Sequence, residues 1–262
     1  MTSRRSVLAA VPLAAAALVL PTGSALAATP TTPATTPVPT DRPTTGQSPV
    51  ALSTRRAHPA PELPELVLDY PSDVDVRVRY VSRDADDPTG CATRGREETV
   101  EAAVPAGAAT LRLGDARYEL LQFHFHTPSE HVLDGHRFPV EQHWVHRGED
   151  GSTLVLGLFL AGGGRGRSAQ DRVLEQLPQE CGDEVEVTGL DLAGALPRDL
   201  TTFRYPGSLT TAPYTEGVSW LVLARHRTLA TASVRGFRRL FPDGDARELQ
   251  PLRGRVVRLR RQ

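Results

Sequence analysis

Leu121-Gln122-Phe123-His124-Phe125-His126, with Glu141-Gln142-His143-Trp144-Val145 fifteen residues further on, decides how the rest of the chain is read. Both segments are short, rich in aromatic and β-branched residues, and free of glycine and proline, which predicts strands. A strand alternates its side chains between two faces. That period places Gln122, His124 and His126 on one face, with Phe123 and Phe125 on the other, toward a core. It also groups Glu141, His143 and Val145. If the two strands pair with these faces aligned, three imidazoles converge, a donor set suited to tetrahedral Zn²⁺ with one open position. Gln122 and Glu141 each precede a ligand by two residues, where they can accept the second ring N–H and fix its tautomer.

A lone histidine is more often a hydrogen-bonded core or surface residue than a ligand, but two on one strand face, completed by a third, are harder to set aside. His124-Phe125-His126 with Glu130 also fits the first metal motif of the cupins, in which Glu130 would be a ligand. The role of Glu130 separates the two assignments.

Outward from these strands the pattern stays mostly β. Val76–Tyr80, Ala109–Leu113, Tyr118–Phe123, Val140–His146, Leu154–Leu160 and Val218–Leu223 read as strands parted by Gly, Asp or Pro turns. Helical spacing appears at Ala169–Leu177 and Ala230–Leu240. There is no internal repeat. The expected fold is a single α+β domain, predominantly β, built around a large, mostly antiparallel twisted sheet with a few peripheral helices.

The chain has 262 residues and a formal net charge of −1, which gives no sign of a nucleic-acid partner. It contains no lysine, which excludes a Walker-type phosphate loop, a pyridoxal Schiff base and a kinase-like ATP site. Residues 1–27 read as an export signal: Arg4-Arg5, an apolar run from Val7 to Leu20, and Ala25-Leu26-Ala27 for cleavage. Ser3-Arg4-Arg5-Ser6-Val7-Leu8 resembles a twin-arginine signal, and an ordinary secretory signal fits equally well. Residues 28–45 are almost entirely Pro, Thr and Ala, a linker expected to be disordered. The folded domain is expected over 46–262, in a secreted or envelope-associated protein with no membrane span after processing. Nothing in the sequence fixes its oligomeric state.

The run from Leu121 to His131, then Asp134-Gly135 and Glu141 to His146, resembles the metal-binding segment of bacterial α-carbonic anhydrases. Tyr205-Pro206-Gly207-Ser208-Leu209-Thr210-Thr211-Ala212-Pro213 is similar to the family's strand and turn over the active site. Gln47-Ser48-Pro49, Asp245-Ala246-Arg247 and Gln250-Pro251-Leu252 resemble its outer landmarks, in the same order. No second cupin motif follows. The resemblance implies zinc-dependent reversible hydration of carbon dioxide to bicarbonate and a proton, by hydroxide carried on Zn²⁺ held by His124, His126 and His143. In carbonic anhydrases as a class such a site lowers the pKa of water to about 7. Thr210 and Glu130 are implied as the proton relay that aims the nucleophile. Val145, Val155, Leu209, Thr211, Val218 and Trp220 are implied as the substrate pocket, whereas His131 and His146 read as structural.

The chain also departs from the family. The position of the usual shuttle histidine, in Arg94-Gly95-Arg96-Glu97-Glu98-Thr99-Val100, is assigned to Glu98. A surface glutamate titrates near 4.3 and takes up protons poorly at neutral pH, so the expectation is an enzyme limited by proton transfer. The family's cysteine pair is missing, with Tyr214 at one of its positions. Two cysteines in an exported chain favour a Cys91–Cys181 disulfide, worth about 4–5 kcal/mol by chain entropy. The alternative function is a weak or silent carbonic-anhydrase-like binding module at the envelope.

Overall fold

The computed structural model describes residues 46–82, 94–180 and 182–262. The export signal, the linker and both members of the expected Cys91–Cys181 pair lie outside the described residues. The first strands are β1 (Ala51–Leu52), β2 (His58–Pro59), β3 (Leu66–Asp69), β4 (Val74–Ser82) and β5 (Glu98–Ala103). Then come β6 (Thr110–Leu113), β7 (Ala116–His126), β8 (Val132–Leu133), β9 (Val140–Gly148) and β10 (Thr153–Gly162). Helix α1 (Ala169–Leu174) is followed by β11 (Glu184–Leu190), β12 (Thr202–Ser208), β13 (Glu216–Leu223) and β14 (Arg227–Leu229). Helix α2 (Thr231–Leu240) and β15 (Arg258–Arg260) complete the order.

Thirteen strands form one sheet along β11-β4-β5-β7-β9-β10-β13-β12-β15-β2, with β3, β6 and β14 attached off this path; β1 and β8 pair separately. The expected large sheet and few helices are present. The sheet is mixed rather than purely antiparallel, since β10–β13, β10–β14 and β15–β2 run parallel. The strands missed in sequence are mainly charged or short ones. Glu184-Val185-Glu186-Val187 alternates charge with valine, an edge strand whose outer face is solvated.

Alternation along β10 divides the interior between the sheet's two faces. Leu156 and Leu158 join Phe123, Phe125 and Trp144 in the larger cluster, to which α2 contributes Phe237. Val155 and Phe159 join Phe203, Tyr205, Val218 and Trp220 in the second. Tilted Phe123 and Trp144 rings, 4.9 Å apart, brace the two histidine-bearing strands from behind. Helix α1 begins on a capping box between Ser168 and Asp171. It ends at Leu174 rather than Leu177, so the expected length is shortened by one turn.

Two glycines make room for the functional face. A Cβ at Gly157, opposite His143 in the β9–β10 register, would lie 3.2 Å from Glu141 Oε1. A Cβ at Gly207 would fall 2.1 Å from Ser48 Oγ and 2.8 Å from Trp220 Cδ1.

Candidate metal centre

The antiparallel register of β7 and β9 sets His124 directly opposite His143 and His126 opposite Glu141. Direct and diagonal neighbours on one sheet face are within reach of one another. One ring nitrogen from each of His124, His126 and His143 lies within 4.8 Å of the other two, a group able to hold a metal ion. The ring centroids are 4.8–5.2 Å apart.

Partners at the rear of the rings settle their orientation. The Nδ1–H of His124 donates to Gln122 Oε1 at 2.9 Å, which makes Nε2 the nitrogen that could take a metal. The Nε2–H of His143 donates to Glu141 Oε1 at 3.0 Å, which makes Nδ1 the nitrogen that could take a metal. Both pairings match those expected from the two-residue spacing. Glu141 also accepts the backbone N–H of His131 at 2.8 Å and its Nδ1–H at 2.7 Å. Burial works against the Glu141 charge, but the His131 and His143 rings outweigh it and hold the carboxyl well below its ordinary range. The chain of contacts continues from His131 Nε2 to the Tyr205 hydroxyl at 2.6 Å and from there to Ser48 Oγ at 2.9 Å. His131 is thus engaged at both ring nitrogens, and His146 Nε2 meets the Tyr70 hydroxyl on the opposite side of the sheet.

His126 is fully buried, and neither of its ring nitrogens has a hydrogen-bond partner. Such orphaned nitrogens are costly unless something absent from the protein alone engages them. Glu130 Oε2, also without a partner, lies 3.7 Å from His126 Nε2 and 3.8 Å from His143 Nδ1. Burial opposes a charge on His126, yet Glu130 and Asp245 outweigh it and push its pKa up to about 9. The electrostatics of the cluster favour a cation, and the donor set fits Zn²⁺.

A cavity of about 370 Å³ opens onto His124 and His143. Val145, Val155, Leu209 and Trp220 supply its apolar wall, and Gln122, Thr210 and Thr211 also line it. Val218 packs in the cluster behind this wall and is not among the lining residues. The Glu130 Oε1 atom accepts the backbone N–H of Arg247 at 2.8 Å. The Oε2 atom that the Thr210 hydroxyl would address remains unpartnered, so the implied Thr210–Glu130 hydrogen bond is not formed in this structure.

Glu98 departs from the sequence reading. It is 2% exposed, and accepts hydrogen bonds from the Tyr80 hydroxyl and the Arg94 backbone N–H. On β5 it shares a face with Val100 and Ala102 of the larger core, whereas Thr99 lines the cavity. The surface glutamate expected at the shuttle position is thus corrected to a buried one on the far face. Glu97 turns to the near side, where it receives the backbone N–H of Ala212 at 2.8 Å and the hydroxyl of Tyr214. The Arg247 guanidinium lies 3.8 Å over the Tyr214 ring.

Sequence reasoning passed over Thr99, Arg147 and Thr153 as lining residues. The two-residue period would have found them: Arg147 is two beyond Val145, and Thr153 two before Val155.

Residues 40–261 match the family model of the eukaryotic-type carbonic anhydrase. The chain belongs to this α-carbonic anhydrase family. A carbonic anhydrase of Neisseria gonorrhoeae is 39% identical over 160 residues, covering 61% of this chain and 63% of that protein. The chain thus aligns with somewhat under two thirds of the length of its curated bacterial relatives. Among solved structures, the α-carbonic anhydrase of Photobacterium profundum is 33% identical with a TM-score of 0.67, covering 83% of this chain and 91% of its own. Dioscorin, solved with ascorbate, is 26% identical with a TM-score of 0.69, over 84% and 87%. Membership of the family removes the cupin alternative, and with it Glu130 as a metal ligand.

Proposed function

We propose that the chain is an exported, zinc-dependent carbonic anhydrase that interconverts carbon dioxide with bicarbonate and a proton. The observation that carries this reading is the convergence of three histidine nitrogens, two with fixed tautomers, where His124 and His143 line a cavity with an apolar wall. His124, His126 and His143 would hold the ion. Zinc bound by three neutral imidazoles supplies a Lewis acid that ionises water near neutral pH.

The remaining work falls to the protein's own groups. Val145, Val155, Leu209 and Trp220 offer carbon dioxide a surface that does not compete for hydrogen bonds. Thr210 would accept a hydrogen bond from the attacking oxygen and donate its own hydroxyl to Glu130 Oε2, a contact not made in this structure, and so would turn an oxygen lone pair toward the substrate carbon. The Arg247 N–H holds Glu130 in place through its other oxygen. Among the described residues, the only histidines lining the cavity are His124 and His143. Those lining residues thus include no further imidazole to carry the product proton out, and on this reading proton transfer to buffer limits turnover. The reading of residues 1–27 as a signal supports a location outside the cytoplasm. No helix among the described residues is long and apolar enough to cross a membrane.

A second reading, a silent binding module, has one observation in its favour: Thr210 and Glu130 are not hydrogen-bonded. Carbon dioxide hydration by purified processed protein, with zinc measured in the same sample and His143→Ala alongside, decides between them. About one zinc per chain and activity lost in the variant supports the enzyme. Zinc without hydration, in imidazole as well as inert buffer, establishes the module.

A further inference from the structure

The reaction as proposed makes no use of Glu97, although both of its carboxylate oxygens are engaged by the turn that carries Thr210. Oε2 accepts the backbone N–H of Ala212 at 2.8 Å, and Oε1 accepts the Tyr214 hydroxyl. Residues 209–215 are already closed on themselves. The Leu209 N–H donates to the Thr215 carbonyl and the Tyr214 N–H to the Thr211 carbonyl, each at 2.9 Å. What that closure leaves open is where the turn sits against the rest of the domain. Gln47 Nε2 donates to the Tyr214 carbonyl at 3.2 Å, and the Arg247 guanidinium lies 3.8 Å over the Tyr214 ring. Tyr214 itself has a φ of 59°, a left-handed conformation in which a bulky residue persists only where its surroundings hold it. Burial, and after it the Glu97 carboxylate, raise its hydroxyl above the ordinary pKa, so it stays a donor.

Glu97 directly precedes β5, and β5 pairs with β7 so that Glu101 stands opposite His124. Its carboxylate therefore links the turn to the strand pair that presents the metal cluster. On the turn, Leu209, Thr210, Thr211, Ala212 and Pro213 all line the cavity, and Glu97 is not among the lining residues. We infer that Glu97 is a positioning residue for Thr210. It fixes residues 209–215 against β5, and so sets how far the Thr210 hydroxyl stands from the attacking oxygen. A misplacement of about 1 Å at a reacting group costs on the order of 100-fold in rate, so a clamp two residues from Thr210 acts on turnover without touching substrate.

This inference rests on the reading of Thr210 given above, and a double-mutant cycle tests it. The quantity measured is kcat/KM for carbon dioxide, per bound zinc, which excludes the later proton transfer to buffer. It is compared among the wild type, Glu97→Ala, Thr210→Ala and the double variant. Glu97→Gln is added because its amide oxygen can accept the Ala212 N–H while its NH₂ donates to the Tyr214 oxygen. Glu97→Ala should lose about 10–100-fold in kcat/KM and less in kcat, with zinc retained, and Glu97→Gln should recover most of the loss. In the Thr210→Ala background, Glu97→Ala should cost less than about twofold. Wild-type kcat/KM in Glu97→Ala, or an undiminished loss in the Thr210→Ala background, overturns the inference and leaves the enzyme reading intact. Loss of zinc from Glu97→Ala overturns it as well, since the residue then acts on the metal cluster. A wild type that holds zinc without hydrating carbon dioxide overturns both readings together.

Discussion

Replacing Tyr205 by phenylalanine removes one oxygen from the middle of the polar chain that supports the metal cluster from behind. The ring itself is 4% exposed, stacked 6.3 Å from Trp220 and covered by the Arg255 guanidinium at 5.5 Å, and phenylalanine preserves that packing. Two buried contacts are lost, one to His131 Nε2 at 2.6 Å and one to Ser48 Oγ at 2.9 Å. Ser48 Oγ retains the backbone N–H of Ser208 at 3.2 Å, so the more serious loss is at His131. Leaving a buried polar group without its partner costs about 1–3 kcal/mol, and a hydrogen bond lost with compensation about 1 kcal/mol. The sum is about 2–4 kcal/mol. For a domain of this size each kcal/mol lowers Tm by about 2–4 °C, so the variant should melt roughly 5–15 °C below the wild type. Urea unfolding of the metal-free proteins, with calorimetry for Tm, measures the difference without interference from metal binding. A change below about 0.5 kcal/mol would refute the argument that this chain of hydrogen bonds is a unit of stability.

Imidazole-type buffers should raise turnover several-fold over inert buffers at equal pH, because among the described residues the cavity is lined by no histidine beyond His124 and His143; stopped-flow hydration across a buffer series that stays flat removes the proton-transfer limit. Acid should destabilise the domain partly through His146, whose buried ring has its pKa lowered to about 3 from 6.5. The unfolded chain takes up a proton below 6.5 that the folded protein refuses until about 3, so stability contributed by this group is complete above 6.5 and declines with falling pH. The slope is about 1.4 kcal/mol per pH unit; His146→Gln should flatten the urea-stability profile in that window, and an unaltered slope rejects the assignment. Gly207→Ala should destabilise the domain by about 2 kcal/mol or more, since its Cβ would fall 2.1 Å from Ser48 Oγ. A wild-type urea midpoint in that variant would show that the Ser48 segment yields freely.

The metal cluster was legible in sequence because it depends on the most rigid rule a strand obeys. Once β7 and β9 pair in register, alternation alone puts Gln122, His124 and His126 beside Glu141 and His143. The same rule, applied one strand further out, corrects the assignment of Glu98. On β5 the partner of His124 is Glu101, so Thr99 and Glu101 share the cavity face, while Glu98 alternates with them into the core. The error came from matching a position by likeness in a stretch with no aromatic anchor to fix the register; counting alternate residues back from β7 resolves it. Asp245 and Arg247 show the opposite limit. They reach the site from a segment outside any strand, more than a hundred residues after the ligands, and no local period could place a carboxylate 3.4 Å behind His126. Contacts made by loops follow from where the sheet ends bring the chain, so here they become visible only once the fold is known.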